Sequence, residues 1–146
     1  MKALIHIKGT QQLEGQAPDT IEMTTFGTLE ATPEGGWQLK YEETEESGLV
    51  GTSTLLHIAG ERVVLERTGA NASMLVLEKR RRHHSHYATP YGMLDLGTYA
   101  NQLSWSLNEE GGELFFAYTL GFNGGINSVH TVHITVQEEN TPCPVS

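Results

Sequence analysis

The sequence predicts an all-β protein, built as one antiparallel up-and-down β-barrel of about 8–10 short strands. Three observations support this class. Apolar and polar residues alternate with a period of two, turn residues separate the alternating runs, and no window of about eleven residues carries a helical stripe. A barrel is favoured because ring closure hides both sheet edges. A two-sheet sandwich is the main alternative, although its crossovers need longer connections than these turns provide.

The elements follow from where the alternation starts and stops. Turn-forming segments rich in glycine, asparagine or proline occur at 33–36, 59–61, 69–72, 89–92, 109–112 and 123–125. The alternating runs between them are typical of half-buried strands paired as hairpins. We expect such strands near 19–31, 37–45, 52–58, 62–68, 73–79, 103–108, 114–122 and 130–137.

Length and charge limit the classes of function. A chain of 146 residues forms one domain, which we place at 1–138 with a C-terminal tail at 139–146. Nine basic residues stand against eighteen acidic ones, so we expect no nucleic-acid partner. The one cysteine, Cys143, excludes an intramolecular disulfide. No signal peptide or membrane-spanning run is visible, so we expect a cytoplasmic protein. No cofactor-binding motif such as a glycine-rich phosphate loop stands out either, so we expect no cofactor.

Two charged residues break the apolar alternation. Period two places Glu43 on the face of Trp37 and Tyr41, and Arg67 on the face of Leu65 if that leucine points inward. An unpaired buried charge is costly, so we expect Glu43 and Arg67 to pair inside the barrel or at its mouth. The pair is open to three interpretations: a structural ion pair, an anchor for an anionic or polar ligand, or a catalytic pair.

A basic run stands out in this acidic chain. It contains Lys79, Arg80, Arg81 and Arg82, followed by three histidines within four residues, at 83, 84 and 86. A solvated turn accounts for it, and docking of an anionic group or an acidic partner surface is the functional alternative. The histidine spacing matches no closed zinc site, and the arginines repel a cation, so we expect no metal.

Several stretches together carry a family resemblance. They are Tyr41-Glu42-Glu43-Thr44, Ser47-Gly48-Leu49-Val50-Gly51-Thr52-Ser53-Thr54, Arg67-Thr68-Gly69 and Tyr87-Ala88-Thr89-Pro90-Tyr91-Gly92. In this order and spacing the chain resembles the YwiB-like family of small bacterial proteins, a domain of unknown function, from Ile5 to about Glu138. The resemblance implies a cytoplasmic, calycin-type barrel, the group that includes lipocalins and fatty-acid-binding proteins. It assigns no role to any motif residue.

These features give three hypotheses about function. The first is non-catalytic binding of an apolar or amphipathic small molecule, for which a barrel interior has room. The second is a packed barrel that acts as an interaction or regulatory module, through a patch at Arg80, Arg81 and Arg82 or as a homodimer. The third, an enzyme, has the least support because no residue is fixed as a nucleophile. The candidate ligand contacts are Trp37, Tyr41, Glu43, Arg67, Tyr87, Tyr91 and Tyr118.

Overall fold

The computed structural model describes residues 1–13, 15–45, 50–69, 73–89, 92–122 and 127–139. Within these residues lie ten strands and no α-helix, which confirms the predicted all-β class. The strands, numbered in chain order, are β1 (Lys2–Leu13), β2 (Asp19–Ala31), β3 (Trp37–Glu42), β4 (Thr52–Ala59), β5 (Arg62–Gly69), β6 (Ser73–Glu78), β7 (Arg82–Thr89), β8 (Gly92–Asn108), β9 (Gly111–Phe122) and β10 (Asn127–Glu138).

The ten strands form a single sheet in the order β6-β5-β4-β3-β2-β1-β10-β9-β8-β7. Apart from β6 and β7, strands that are consecutive along the chain pair as antiparallel hairpins, and β1 pairs with β10 to join the two ends of the chain. The sheet curls into a nearly closed barrel, so the predicted up-and-down barrel is confirmed. The two-sheet sandwich is not what the described residues form.

The seam between the edge strands β6 and β7 closes the barrel with few contacts. One antiparallel bridge joins Glu78 to Arg81, and one parallel bridge joins Lys79 to Ala100 on β8. The buried hydroxyl of Thr98 on β8 donates a hydrogen bond to the carbonyl of Val76 on β6, at 2.8 Å. Among the described residues, the seam is therefore joined by a handful of polar contacts, whereas the other neighbouring strands pair through extended ladders.

Strand formation follows the alternation in the sequence. Along β4 the side chains of Thr52, Thr54, Leu56 and Ile58 are buried, while the residues between them are partly exposed. The inward-facing rows of the barrel form one apolar core, whose fully buried members include Phe116. Burial of these side chains stabilises the fold at roughly 25 cal/mol per Å² of apolar surface.

Several element boundaries differ from the prediction, and the structure gives a physical reason for two of them. Strand β3 ends at Glu42, but the backbone N–H of Glu43 still donates to the carbonyl of Thr52 at 2.9 Å, which holds Glu43 beside β4. The predicted run 103–108 is the second part of a 17-residue strand, β8. The pairing of β8 with β9 is irregular between Ala100 and Gln102, and the period-two alternation breaks there. Because of this break, the alternation did not predict the first half of the strand.

Candidate functional site

One end of the barrel interior holds a cavity of about 550 Å³. The cavity lies toward the end of the barrel where β1 ends and β2 begins, with Gln11 and Asp19 at its rim. Its deeper wall is apolar and is formed by side chains from seven strands: Ile7, Met23, Leu56, Leu65, Leu75, Phe116 and Ile134. The interior is thus not filled by its own side chains at this end.

Three neighbouring strands place a polar row in this cavity. The registers of β3, β4 and β5 set Tyr41 opposite Thr54, and Thr54 opposite Arg67. All three residues face inward because they continue the buried alternation of their strands. Tyr41 and Arg67 line the cavity, and Glu43 joins them from the segment that follows β3.

Glu43 and Arg67 meet in this row. The Nε atom of Arg67 lies 3.7 Å from Oε2 of Glu43, and the two side chains are 27% and 3% exposed. The hydroxyl of Thr54 donates a hydrogen bond of 2.5 Å to the same Oε2. The predicted meeting of the acid and the base therefore occurs at the mouth, through one loose contact and not the two-pronged geometry that arginine and carboxylate can adopt.

Tyr118 and His130 form the opposite polar wall. They face each other across β9 and β10, and their rings stack with centroids 4.8 Å apart and planes 7° from parallel. Nε2 of His130 lies 2.7 Å from the hydroxyl of Ser128, which is 2% exposed. Burial lowers the pKa of His130, so the imidazole is neutral at pH 7.

Both phenols in the cavity keep their protons. Burial raises the pKa of Tyr41, with a further increase from the nearby Glu43 carboxylate and an opposing effect of Arg67. Burial also raises the pKa of Tyr118, again opposed by Arg67. The guanidinium therefore lies within electrostatic reach of both rings, and each hydroxyl can donate a hydrogen bond.

The structure brings together four of the seven residues predicted as ligand contacts: Tyr41, Glu43, Arg67 and Tyr118. Trp37 lies at the other end of β3, where its half-buried ring lines a separate, shallow pocket near the 33–34 turn and Arg62. The backbone of Tyr87 is part of β7, but its side chain and the whole of Tyr91 lie outside the described residues. Their predicted contacts stay predictions.

Thr54 and His130 were missed as site residues by the sequence reasoning. Both occupy inward positions of alternating strands, Thr54 beside Leu56 and His130 beside Val132. A polar side chain at an inward position is the signal that could have found them. The hydrogen bond between His130 and Ser128 is also one that a buried polar core residue makes.

The basic run forms the turn between β6 and β7 and the start of β7. Lys79 contacts Glu61 at 3.9 Å, and Arg81 contacts Glu78 at 3.9 Å. Arg80 and Arg82 are exposed. Acidic neighbours thus offset part of the local positive charge, and no contact of this run reaches the cavity among the described residues.

The histidines beside the basic run pair with single carboxylates. His83 lies 2.9 Å from Glu78, and this hydrogen bond lowers the pKa of the Glu78 carboxyl. His84 lies 3.6 Å from Asp95, and the side chain of His86 is not among those described. In the part of the chain that the structure describes, no group of three or more His, Cys, Asp or Glu residues is placed to hold a metal ion. The same residues contain no helix that could span a membrane.

The fold and the cavity define a small β-barrel protein with an amphipathic interior. Residues 5–134 match the model of a domain of unknown function, DUF1934, and the chain belongs to this family. The crystal structure of the YwiB protein from Bacillus subtilis superposes with a TM-score of 0.76 at 19% identity, covering 95% of this chain and 92% of that one. At this identity the likeness shows the fold. It agrees with the family resemblance inferred from the motifs, which is confirmed. No curated protein matches the chain.

Proposed function

We propose that this protein binds an amphipathic small molecule, without catalysis, in the cavity at the mouth of the barrel. The cavity itself is the observation that carries the proposal. Its volume of about 550 Å³ lies within the range of roughly 300–1,000 Å³ that is usual for small-molecule sites. A protein of 146 residues gains stability from a filled core, so an open apolar interior calls for an occupant.

The lining supports an amphipathic occupant over a purely apolar one. The deep wall consists of aliphatic and aromatic side chains, which favour an apolar tail. The mouth carries Tyr41, Glu43, Arg67, Tyr118 and His130, all of which offer polar atoms. Such a division between an apolar body and a few convergent polar groups is the pattern by which binding sites fix the orientation of a ligand.

Native mass spectrometry of the untagged protein, purified from its own cells, tests the proposal directly. We expect a reproducible non-covalent adduct of a few hundred daltons that disappears in the denatured spectrum, since a small barrel holds one such molecule. A neutral fluorescent probe, N-phenyl-1-naphthylamine, supplies a second measurement with the ligand removed. Its emission should rise on binding, because the cavity wall is apolar.

Two variants on β10 test whether the native adduct and the probe emission both come from the cavity. Val132→Trp fills the interior from β10, because Val132 lines the cavity. Thr135→Trp adds the same ring to the exposed outer face of β10. We expect the first variant to lose adduct and probe while staying folded, and the second to keep both. Equal binding by the two variants, or no binding by the wild type, would reject the cavity as the site and favour the interaction-module alternative.

A further inference from the structure

Arg67 has an unused hydrogen-bond donor inside the cavity. Its Nε is buried and, among the buried side-chain nitrogen and oxygen atoms that the structure describes, it is the one without a hydrogen-bond partner. The nearest carboxylate oxygen, Oε2 of Glu43, lies at 3.7 Å, beyond hydrogen-bonding distance. A buried donor without a partner is destabilising, so binding of an acceptor next to this Nε is favourable.

Two further donors line the same cavity. The hydroxyls of Tyr41 and Tyr118 line the same cavity and remain protonated. Glu43 is the nearest carboxylate, and the hydroxyl of Thr54 already donates to its Oε2. The carboxylate of Asp19 is at the rim, and the deeper donors of Arg67, Tyr41 and Tyr118 beside one positive charge are complementary to an anionic acceptor.

We infer that Arg67, with Tyr41 and Tyr118, is the head-group site for an amphipathic carboxylate whose tail lies against the apolar wall. This inference rests on the proposed function and names the class of its ligand. A carboxylate is planar, and its two oxygens match the guanidinium fork. Glu43 stands next to Arg67 and repels added negative charge, which limits the head group to a single charge and disfavours a doubly charged phosphate.

The test compares head groups on one tail with the wild-type protein. Decanoate, decanol and decylamine compete with bound N-phenyl-1-naphthylamine at pH 7.5 and at concentrations below their aggregation limits. We expect decanoate to displace the probe at a concentration about tenfold lower than decanol, because a charge-assisted hydrogen bond replaces a neutral one. Decylamine should be the weakest competitor, since it brings a positive charge to Arg67.

Variants assign this preference to Arg67. Arg67→Met removes the guanidinium and keeps the length of the side chain, and we expect it to bind the probe but to lose the preference for decanoate over decanol. Arg67→Lys keeps the charge without the planar fork and should retain part of the preference. Arg62→Met is the matched control, because Arg62 is exposed at the opposite end of β5. It should behave like the wild type.

The outcomes separate this inference from the proposed function. Probe binding with equal displacement by all three competitors, or with decylamine as the strongest, overturns the carboxylate site and leaves a cavity binder. Absence of any probe binding or native adduct overturns both. The wild-type comparison decides the matter even if Arg67→Met fails to fold.

Discussion

Among single residues, Thr54 links the two charges of the cavity mouth. It lies between Tyr41 and Arg67 in the strand registers, and its hydroxyl donates to Glu43. The carboxylate of Glu43, 3% exposed, thus accepts a hydrogen bond from Thr54, whereas the Nε of Arg67 has no hydrogen-bond partner. The carboxylate of Glu43 is therefore more tightly constrained than the guanidinium of Arg67, whose Nε can form a hydrogen bond with a ligand.

This asymmetry predicts a moderate coupling between Glu43 and Arg67. Removing one member of a fully buried pair costs about 3–5 kcal/mol. Arg67 is 27% exposed and Thr54 continues to support Glu43, so we expect Arg67→Met to lower the free energy of unfolding by about 2 kcal/mol. The double variant Glu43→Gln/Arg67→Met should cost less than the sum of the single variants, as measured by urea unfolding. Strict additivity would show that the two side chains do not interact.

The lowered pKa of His130 predicts how the free energy of unfolding responds to pH. Its folded-state pKa lies below the unfolded value of about 6.5, so below that value the unfolded chain binds the proton more readily. Its contribution to stability is therefore complete above about pH 6.5 and is lost as the pH falls toward the folded-state pKa. We expect the stability of the wild type relative to His130→Gln to decrease between about pH 7.5 and pH 5.5. The other titrating groups are common to both proteins and cancel. A constant or rising difference would contradict the buried neutral imidazole.

At the scale of elements, the sequence predicted the faces of strands better than positions along them. Period two placed Glu43 on the face of Tyr41, and Arg67 on the face of Leu65, and the structure places these side chains around one cavity. The same alternation included Trp37, which lies at the other end of β3. Alternation predicts which side of the sheet a residue occupies, whereas the position of the residue along the barrel axis depends on the pairing register. That register arises from contacts across the whole sheet.

The turn between β6 and β7 could not be predicted in the same way. Its sequence is a run of cations, and charge does not indicate backbone conformation. The structure shows Arg80 with a φ of 60°, the left-handed conformation that glycine adopts easily. The backbone N–H of Arg80 donates to the carbonyl of Ala100 at 2.8 Å, which fixes this conformation at the seam.

We accordingly expect different responses to glycine at Arg80 and at Arg82. Arg80→Gly relieves a conformation that costs about 1 kcal/mol, which offsets the flexibility that glycine adds to the unfolded chain. We expect its free energy of unfolding to stay within about 0.5 kcal/mol of the wild type. For Arg82→Gly, in β7, we expect the free energy of unfolding to fall by about 1 kcal/mol. Thermal and urea unfolding of both variants measure these free energies. A similar decrease in both would show that the arginine side chains, not the backbone, stabilise the turn.

Across the whole molecule, the strand order predicts an uneven distribution of stability. Strands β1 and β2 lie at the centre of the sheet and are paired along both edges, whereas β6 and β7 are the terminal strands. Within the described strands and turns, the polar contacts between β6 and its seam neighbours are isolated bridges, the hydrogen bond from Thr98 to Val76 and the contact between His83 and Glu78. Local opening should begin where the fewest contacts must break.

Hydrogen exchange followed by mass spectrometry measures this gradient. We expect backbone amides of β1 to exchange slowest and those of β6 to exchange faster, at a rate set by opening of the seam. Thr98→Val preserves the shape of the side chain but removes its donor, and leaves the carbonyl of Val76 without that bond. It should speed exchange in β6 and leave β1 unchanged, while Thr135→Val on the outer face of β10 should alter neither.

The seam and the cavity share strand β6, because Leu75 lines the cavity and Val76 accepts the bond from Thr98. A ligand that packs against Leu75 binds the closed barrel better than the opened one, and it therefore slows opening by mass action. We expect decanoate to reduce exchange in β6 of the wild type and to do so far less in Val132→Trp, whose cavity is filled. Protection of β6 in both proteins would place the ligand outside the barrel. Protection of β1 alone would mean that the bound ligand does not stabilise the closed seam.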